Sequence, residues 1–295
     1  MNNTLLYVLT VLIWGTTWFS IKLQIPHAPS EISIFYRFIL ASLILVGWCG
    51  VRKISLKFRP VDHVYLCLLG LSMCSIHHIF IYSASMYVAS GVVAVIFSTV
   101  SFFNIFYNYL FYAAVPRWNV LCGVLMGILG LGIFFAPDFM DINIQNKTMQ
   151  GILFAGIGSM IFSFASVVTK RNQRENIQTL PAVTMASIYG ACIMLAYILI
   201  KRVPFSFPES AVYWSAVLYL TIFGSIVAFL CYLKLVRNIG AAMAGYAAIL
   251  FPPVALFLSS LFEDYQWHAL HFLGLSLVLV GNGFVLWHRR PQPIS

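Results

Sequence analysis

The sequence predicts an all-α integral membrane protein of ten transmembrane helices, arranged as two inverted five-helix repeats. Three observations predict it. Of 295 residues, 61% are hydrophobic and only 8% are charged, too few charges to cover a water-soluble domain of that size. The apolar residues fall in runs of about 20, the length that crosses a bilayer as a helix. The chain also echoes itself. Ile13-Trp14-Gly15-Thr16-Thr17-Trp18-Phe19-Ser20-Ile21-Lys22 returns 148 positions later as Ile161-Phe162-Ser163-Phe164-Ala165-Ser166-Val167-Val168-Thr169-Lys170, and Leu129-Gly130-Leu131-Gly132 returns as Val280-Gly281-Asn282-Gly283.

The spans follow in order. The first, 4–23, ends at Lys22 and is closed by Pro26-His27-Ala28-Pro29-Ser30. It lacks a basic leading segment and a small-residue cleavage site, so it reads as a retained helix and not a signal peptide. The second, 31–51, stops at Arg52-Lys53, and the third covers 64–86. Val88-Ala89-Ser90 leaves only a tight turn before the fourth, 91–113. The fifth, 119–137, carries Gly123, Gly127 and Gly130, a spacing that lets helix backbones approach closely. Within the chain this means packing, with a dimer contact as the alternative.

The second half opens with the sixth span, 151–170, ending at Lys170-Arg171 with Arg174. The seventh is 181–200. Pro204 and Pro208 precede the eighth, 212–235, and Asn238-Ile239-Gly240 is a tight turn before the ninth, 241–262. That turn matches the Val88-Ala89-Ser90 turn of the first half. The tenth span, 269–288, repeats the small-residue pattern at Gly274, Ser276, Gly281 and Gly283 and ends at Arg289-Arg290. The halves are therefore 1–138 and 150–290.

Charge sets the expected orientation, because Lys and Arg accumulate on the cytoplasmic side of short loops. One side holds Arg52, Lys53, Lys57, Arg59, Arg117, Lys170, Arg171, Arg174, Arg237, Arg289 and Arg290; the other holds Lys147, Lys201 and Arg202 among several acids. Both termini are expected in the cytoplasm, with the protein in the cytoplasmic (inner) membrane. Five spans per half then inverts the second copy, which is the architecture of a secondary transporter with a substrate site between its repeats. The net charge of +9 lies in these short clusters, which suit anionic lipid heads and not nucleic acid. The six cysteines are scattered singly and read as small buried hydrophobes. No cofactor or metal is expected: His268 and His271 form a pair at a span end without further ligands. The expected partners are a small-molecule substrate and the bilayer, with the chain as monomer or homodimer.

The residues resemble the drug/metabolite transporter superfamily, specifically its ten-helix EamA-type carriers. The resemblance rests on Trp14-Gly15-Thr16-Thr17-Trp18 through Lys22, Tyr36-Arg37-Phe38, Gly240-Ala241-Ala242, Leu250-Phe251-Pro252-Pro253-Val254-Ala255, Glu263 and the Gly281 region. The first half departs from it: Val100-Ser101-Phe102 stands where a proline is usual, and the acidic residue usual after that span is replaced near Ala113-Ala114-Val115. The resemblance implies a carrier whose first, third, fourth, sixth, eighth and ninth spans line the cavity.

Several residues are candidates, each with a plainer alternative. His77 and His78 lie in the third span, where ionisable groups are costly and usually face a cavity or the bundle interior. They read as substrate contact or proton coupling, or as neutral histidines satisfied by a neighbouring helix. Adjacent helical positions differ by about 100°, so only one is expected to face a given cavity, and His78 is favoured because Tyr82 shares its face. Tyr82 and Tyr232 match when the third and eighth spans are overlaid, and read as hydroxyls on opposite cavity walls or as interfacial anchors. Trp14 reads as a cavity wall. Ser98, Ser101, Asn104 and Asn108 form a polar stripe, of which Ser101 and Asn104 are candidate substrate contacts; interhelical bonding is the alternative. Arg37 reads as snorkelling, as facing the cavity, or as meeting Glu31. Pro252 and Pro253 read as a gate or a static kink. No carboxylate is expected near the midplane, which favours neutral, zwitterionic or anionic amphipathic substrates over polycations. An exported metabolite is expected. An intramembrane enzyme or a channel is the alternative, and no HExxH, GxSG, aspartate pair or filter motif supports either.

Overall fold

The computed structural model describes residues 2–113, 115–116, 118–140, 145–232, 234–235, 238 and 247–287, with backbone alone at 138–140, 145–146, 248–249 and 285–287. Gly240-Ala241-Ala242, Arg117, Arg237 and Arg289-Arg290 lie outside the described residues, as do Ile239 and Gly240 of the second tight turn. The described chain is helical throughout, with no strand among the described residues. Eight stretches are long and apolar enough to cross a bilayer, and Leu250–Phe262 and Ala269–Phe284 are shorter apolar helices. Large apolar side chains such as Leu43, Val51, Leu129, Ile200 and Phe257 lie on the outside, as a lipid environment requires.

Helix α1 (Asn3–Lys22) starts where the Asn2 side chain accepts from the Thr4 amide, and α2 (Ser30–Val51) starts after Pro29. The third span is two helices, α3 (Pro60–Met73) and α4 (Ile76–Tyr87). The chain breaks at Cys74 and Ser75, and the Ser75 hydroxyl donates to the carbonyls of Gly70 (3.1 Å) and Leu71 (3.0 Å) near the broken end. The break presses against the seventh span, where a Cβ added at Gly190 would sit 2.5 Å from Cys74 Cβ. The fourth span is also two helices, α5 (Ser90–Phe97) and α6 (Val100–Tyr112). Its interruption at Ser98-Thr99 immediately precedes Val100-Ser101-Phe102. Hydroxyls make it instead of a proline: Ser98 Oγ donates to Val95 O and Thr99 Oγ1 to Ile96 O, both at 2.6 Å.

The remaining spans are α7 (Trp118–Met140), α8 (Gln145–Arg174), α9 (Thr179–Lys201), α10 (Ala211–Tyr219) running into a π-helical segment (Leu220–Val227), α11 (Ala247–Phe262) and α12 (Ala269–Trp287). Helices α7 and α12 pack backbone to backbone. A Cβ on Gly274 would lie 2.5 Å from the Phe134 amide nitrogen, and one on Gly281 would lie 2.5 Å from the Gly123 carbonyl. The expected small-residue packing is thus a contact within the chain. Helix α11 packs on α1 and α5, α8 on α4 and α6, and α9 on α2 and α3. First-half spans therefore pack throughout on second-half spans, and the polar interior lies between them.

Candidate functional site

Two regions carry the polar chemistry, and both involve the turn end of the third and fourth spans. The first lies at the face bearing the carboxyl end of α1. The Val88-Ala89-Ser90 turn exposes the last carbonyls of α4 and the first amides of α5, groups with no partner inside their own helices. Two charged side chains answer them. Lys22 Nζ donates to the carbonyls of Ser85 and Val88. The Glu263 carboxylate, from the end of α11, accepts from the Ser90 amide (3.0 Å), the Ser90 hydroxyl and the Ser259 hydroxyl (3.0 Å). Ser259 Oγ in turn accepts from the Gly91 amide at 2.7 Å. Each charge faces the helix end whose dipole favours it. A Cβ on Gly91 would lie 2.6 Å from Leu256 Cα, so the glycine permits α5 and α11 to meet.

The second region lies below this clasp. Arg37 is only 6% exposed. It sits seven residues into α2, about 10 Å from that helix's amino end at 1.5 Å per residue. Its Nε donates to Ser225 Oγ at 3.0 Å, and its guanidinium lies over the Phe38 ring. Ser225 belongs to the π-helical segment, whose Thr221 hydroxyl donates to the Arg37 carbonyl (3.3 Å). Such segments recur at functional sites because the widened turn displaces the ladder. Glu31 is no partner: six positions apart on one helix, the two side chains point to different faces. No ion pair joins Arg37 to any acid among the described residues. The titratable side chains acting on it are the Tyr82 hydroxyl and the Cys74 thiol.

The histidines flank this arginine. His77 and His78 are both buried, and their ring centroids are 3.8 Å apart. Sequence spacing points them to different sides, yet the helix starts at Ile76 and both rings meet in its first turn. His78 packs on Phe38 (5.0 Å) and His77 on Phe162 (5.1 Å). Nδ1 of each ring has no hydrogen-bond partner among the described residues. Tyr82 is fully buried, and its hydroxyl donates to Gln24 Oε1 at 2.9 Å, leaving Gln24 Nε2 unbonded. Trp18, against Phe97 and Phe251, is buried with Nε1 unbonded.

The other expected residues are distributed along the bundle. Trp14 and Tyr232 come together, ring centroids 5.1 Å apart, joining the first and eighth spans. Trp14 is ten residues before Gln24, so this pair lies about 15 Å along α1 from Tyr82. The two tyrosines therefore occupy different depths. The polar stripe splits. Ser101 donates to Asn282 Oδ1 on α12, and Asn282 Nδ2 donates to Ser98 Oγ (3.4 Å). Asn104 Oδ1 accepts from Ser163 (2.7 Å) and Ser166 (2.8 Å) on α8. Pro252 and Pro253 lie inside α11, beside the point where a Cβ on Gly15 would be 2.6 Å from Val254. At the opposite face, Asp62 binds Arg59 (2.8 Å) and Arg171 (2.7 Å), and Arg59 binds Glu175 (2.6 Å). Its hydrogen bonds to the Asp62 and then the Glu175 carboxylate hold the Arg59 guanidinium above its ordinary pKa.

Spacing did not flag Gln24, Ser225, Ser259 or Ser90, which lie in loops or among ordinary small residues. Their one signal was the pair of charges at span ends, Lys22 and Glu263, placed close to a turn too short to cap itself.

A bundle of ten apolar helices with a buried polar interior defines a multi-pass membrane transporter. The EamA-like transporter family matches residues 3–136 and 149–287, and the chain belongs to that family. It is 27% identical over 292 residues to "Uncharacterized inner membrane transporter YedA" of Escherichia coli K12, covering 95% of this chain and 90% of that one. It is 24% identical to "Protein PagO" of Salmonella typhimurium, covering 100% and 96%. A relative in Buchnera aphidicola, "Uncharacterized transporter in trpA 3'region", is 24% identical over 89% of this chain and 84% of its own. A solved structure titled "Crystal structure of protein" shares the fold with a TM-score of 0.69 at 17% identity, covering 98% and 99%.

Proposed function

We propose that the protein is an alternating-access carrier that exports a small neutral, zwitterionic or anionic amphipathic metabolite. The halves 1–138 and 150–290 are inverted repeats that rock against one another. The two stretches matched by the family support this division. Both termini face the cytoplasm of an inner-membrane protein, as the Lys and Arg distribution supports, which makes the Lys22 face the outer one.

One observation carries the reading. Glu263 of the second half clasps Ser90 and Gly91 of the first, through Ser259, on the Lys22 face only. On the other face no hydrogen bond joins α6 to α11 among the described residues. That face joins the halves instead through the Asp62–Arg171 and Arg59–Glu175 ion pairs, so opening on the Lys22 face would have to break the Glu263 bonds. Trp14, Tyr232, His78 and Asn104 would wall the inward half of the path, while Tyr82 would meet solute nearer the clasp. Pro252 and Pro253 would let α11 bend as Glu263 lets go. His77 or His78 would carry a coupled proton.

The test is solute flux in proteoliposomes, with spin-label distances between Met86→Cys and Phe262→Cys on the Lys22 face. Wild type gives one short distance, and Glu263→Gln adds a longer one. Saturable flux that survives with an unchanged distance in Glu263→Gln removes the clasp from the mechanism; no flux at all removes the carrier. For coupling, His78→Gln is compared with wild type under an imposed proton gradient, and unchanged gradient dependence sinks the histidine role.

A further inference from the structure

Arg37 is a buried cation without a buried anion. Removing a guanidinium from water costs several kcal/mol unless charge and hydrogen bonds replace the lost hydration. Here one neutral hydroxyl, Ser225, accepts from Nε, and no carboxylate is in reach among the described residues. The neighbourhood compounds the imbalance. Gln24 Nε2 is a buried donor with no acceptor among the described residues, and Trp18 Nε1, six residues earlier in the chain, is another. Tyr82 links Gln24 to Arg37, since its hydroxyl binds Gln24 and also lies in the field of Arg37. Helix α4 begins at the same break, so the positive end of its dipole opens beside His77 and His78. Donors and positive potential surround Arg37, and no anion meets it among the described residues.

We propose that Arg37 is the counter-charge for a single carboxylate on the transported solute. This rests on the carrier reading and narrows it to one substrate class. The planar guanidinium fork matches a carboxylate, and the Gln24 amide, held beside Arg37 through Tyr82, donates to a remaining lone pair. Charge counting selects a monoanionic head group over a phosphate. A doubly charged group would call for a second cation, and the nearest spans offer Lys22, committed to Ser85 and Val88, and Lys170, stacked over the Tyr112 ring. The rest of the solute meets the aromatic surface of Trp18, Phe97 and Phe251. A chamber that formed around the solute here would lie beneath the Glu263 clasp, so a bound carboxylate would be shut off from the Lys22 face until the clasp opens.

The experiment uses proteoliposomes carrying the full chain, loaded from a metabolite extract of the cells that make it, with retained solutes read by mass spectrometry. The solutes that wild type accumulates carry a carboxylate. The best of them is then compared with its own amide. Amidation raises the half-saturating concentration at least about tenfold in wild type, the scale of one desolvated charge-assisted contact. Arg37→Gln raises it about tenfold for the acid and changes the amide less than about threefold, as coupled partners do. Arg37→Lys, which keeps the charge, recovers part of the loss. A purely structural arginine would instead depress acid and amide alike, and that result overturns the proposal. So does accumulation of solutes without carboxylates, phosphomonoesters included, while the carrier reading stands. Wild-type liposomes that retain nothing from the extract overturn the carrier reading itself. Size-exclusion profiles of each variant separate lost folding from lost recognition.

Discussion

The clasp and the Arg37 chamber proposed for the solute treat charge in opposite ways. In the clasp both charges are answered: Glu263 accepts from three donors and Lys22 donates to two carbonyls. In that chamber Arg37 meets only neutral hydroxyls, of Ser225 and Tyr82, and the buried Gln24 and Trp18 donors have no acceptor among the described residues. Both regions sit in the same bundle and are built from the same four spans and their neighbours, so burial alone does not explain the difference. Paired charges hold helices together, as between α5 and α11. An unpaired buried charge is a cost to the resting protein that a ligand can relieve.

That contrast can be broken at the clasp first. Glu263→Ala removes three acceptor contacts and strands the Ser90 amide. Because Glu263 is half-buried, the expected loss of stability is about 2–3 kcal/mol, measured by thermal unfolding in detergent. Gly91→Ala forces a methyl group onto the Leu256 backbone and separates α5 from α11. The expected cost is about 2 kcal/mol, with a longer Met86→Cys to Phe262→Cys distance. Ser259→Ala leaves the Gly91 amide without its acceptor and costs about 1–2 kcal/mol. Tyr82→Phe sharpens the comparison from the chamber side. It removes one hydrogen bond in a site that is already unsaturated, and the loss stays near 1 kcal/mol while solute affinity falls. A chamber substitution as damaging as Glu263→Ala would mean that both regions serve only to hold the bundle together.

Much of this architecture was legible in residue order. Apolar runs and their Pro and Gly breaks located ten spans, and Gly274 and Gly281 were recognisable as packing residues because their spacing is the packing device itself. The helix breaks were not legible. Cys74-Ser75 and Ser98-Thr99 interrupt their spans through serine and threonine hydroxyls, which look like ordinary small residues in an apolar run, whereas a proline would have announced itself. The first break also defeats the angular argument for His77 and His78, which assumes an unbroken helix. Ser101 and Asn104 were legible as a polar stripe, but not their partners: three residues apart on α6, Ser101 bonds α12 and Asn104 bonds α8, helices that lie far away in sequence. The polar core was the least legible part. Arg37 stands in a helix apolar on every side, so no periodicity shows which way it faces. Its Ser225 partner lies 188 positions away, in a π-helical segment without a sequence signature.

The most direct measurement compares thermal stability and solute flux for Arg37→Met in one preparation. A charge kept for a ligand weakens the empty protein. Its replacement by an apolar side chain of similar length should therefore raise stability by about 1–3 kcal/mol while flux of the carboxylate solute is lost. A protein that becomes less stable yet still carries the solute would contradict the account.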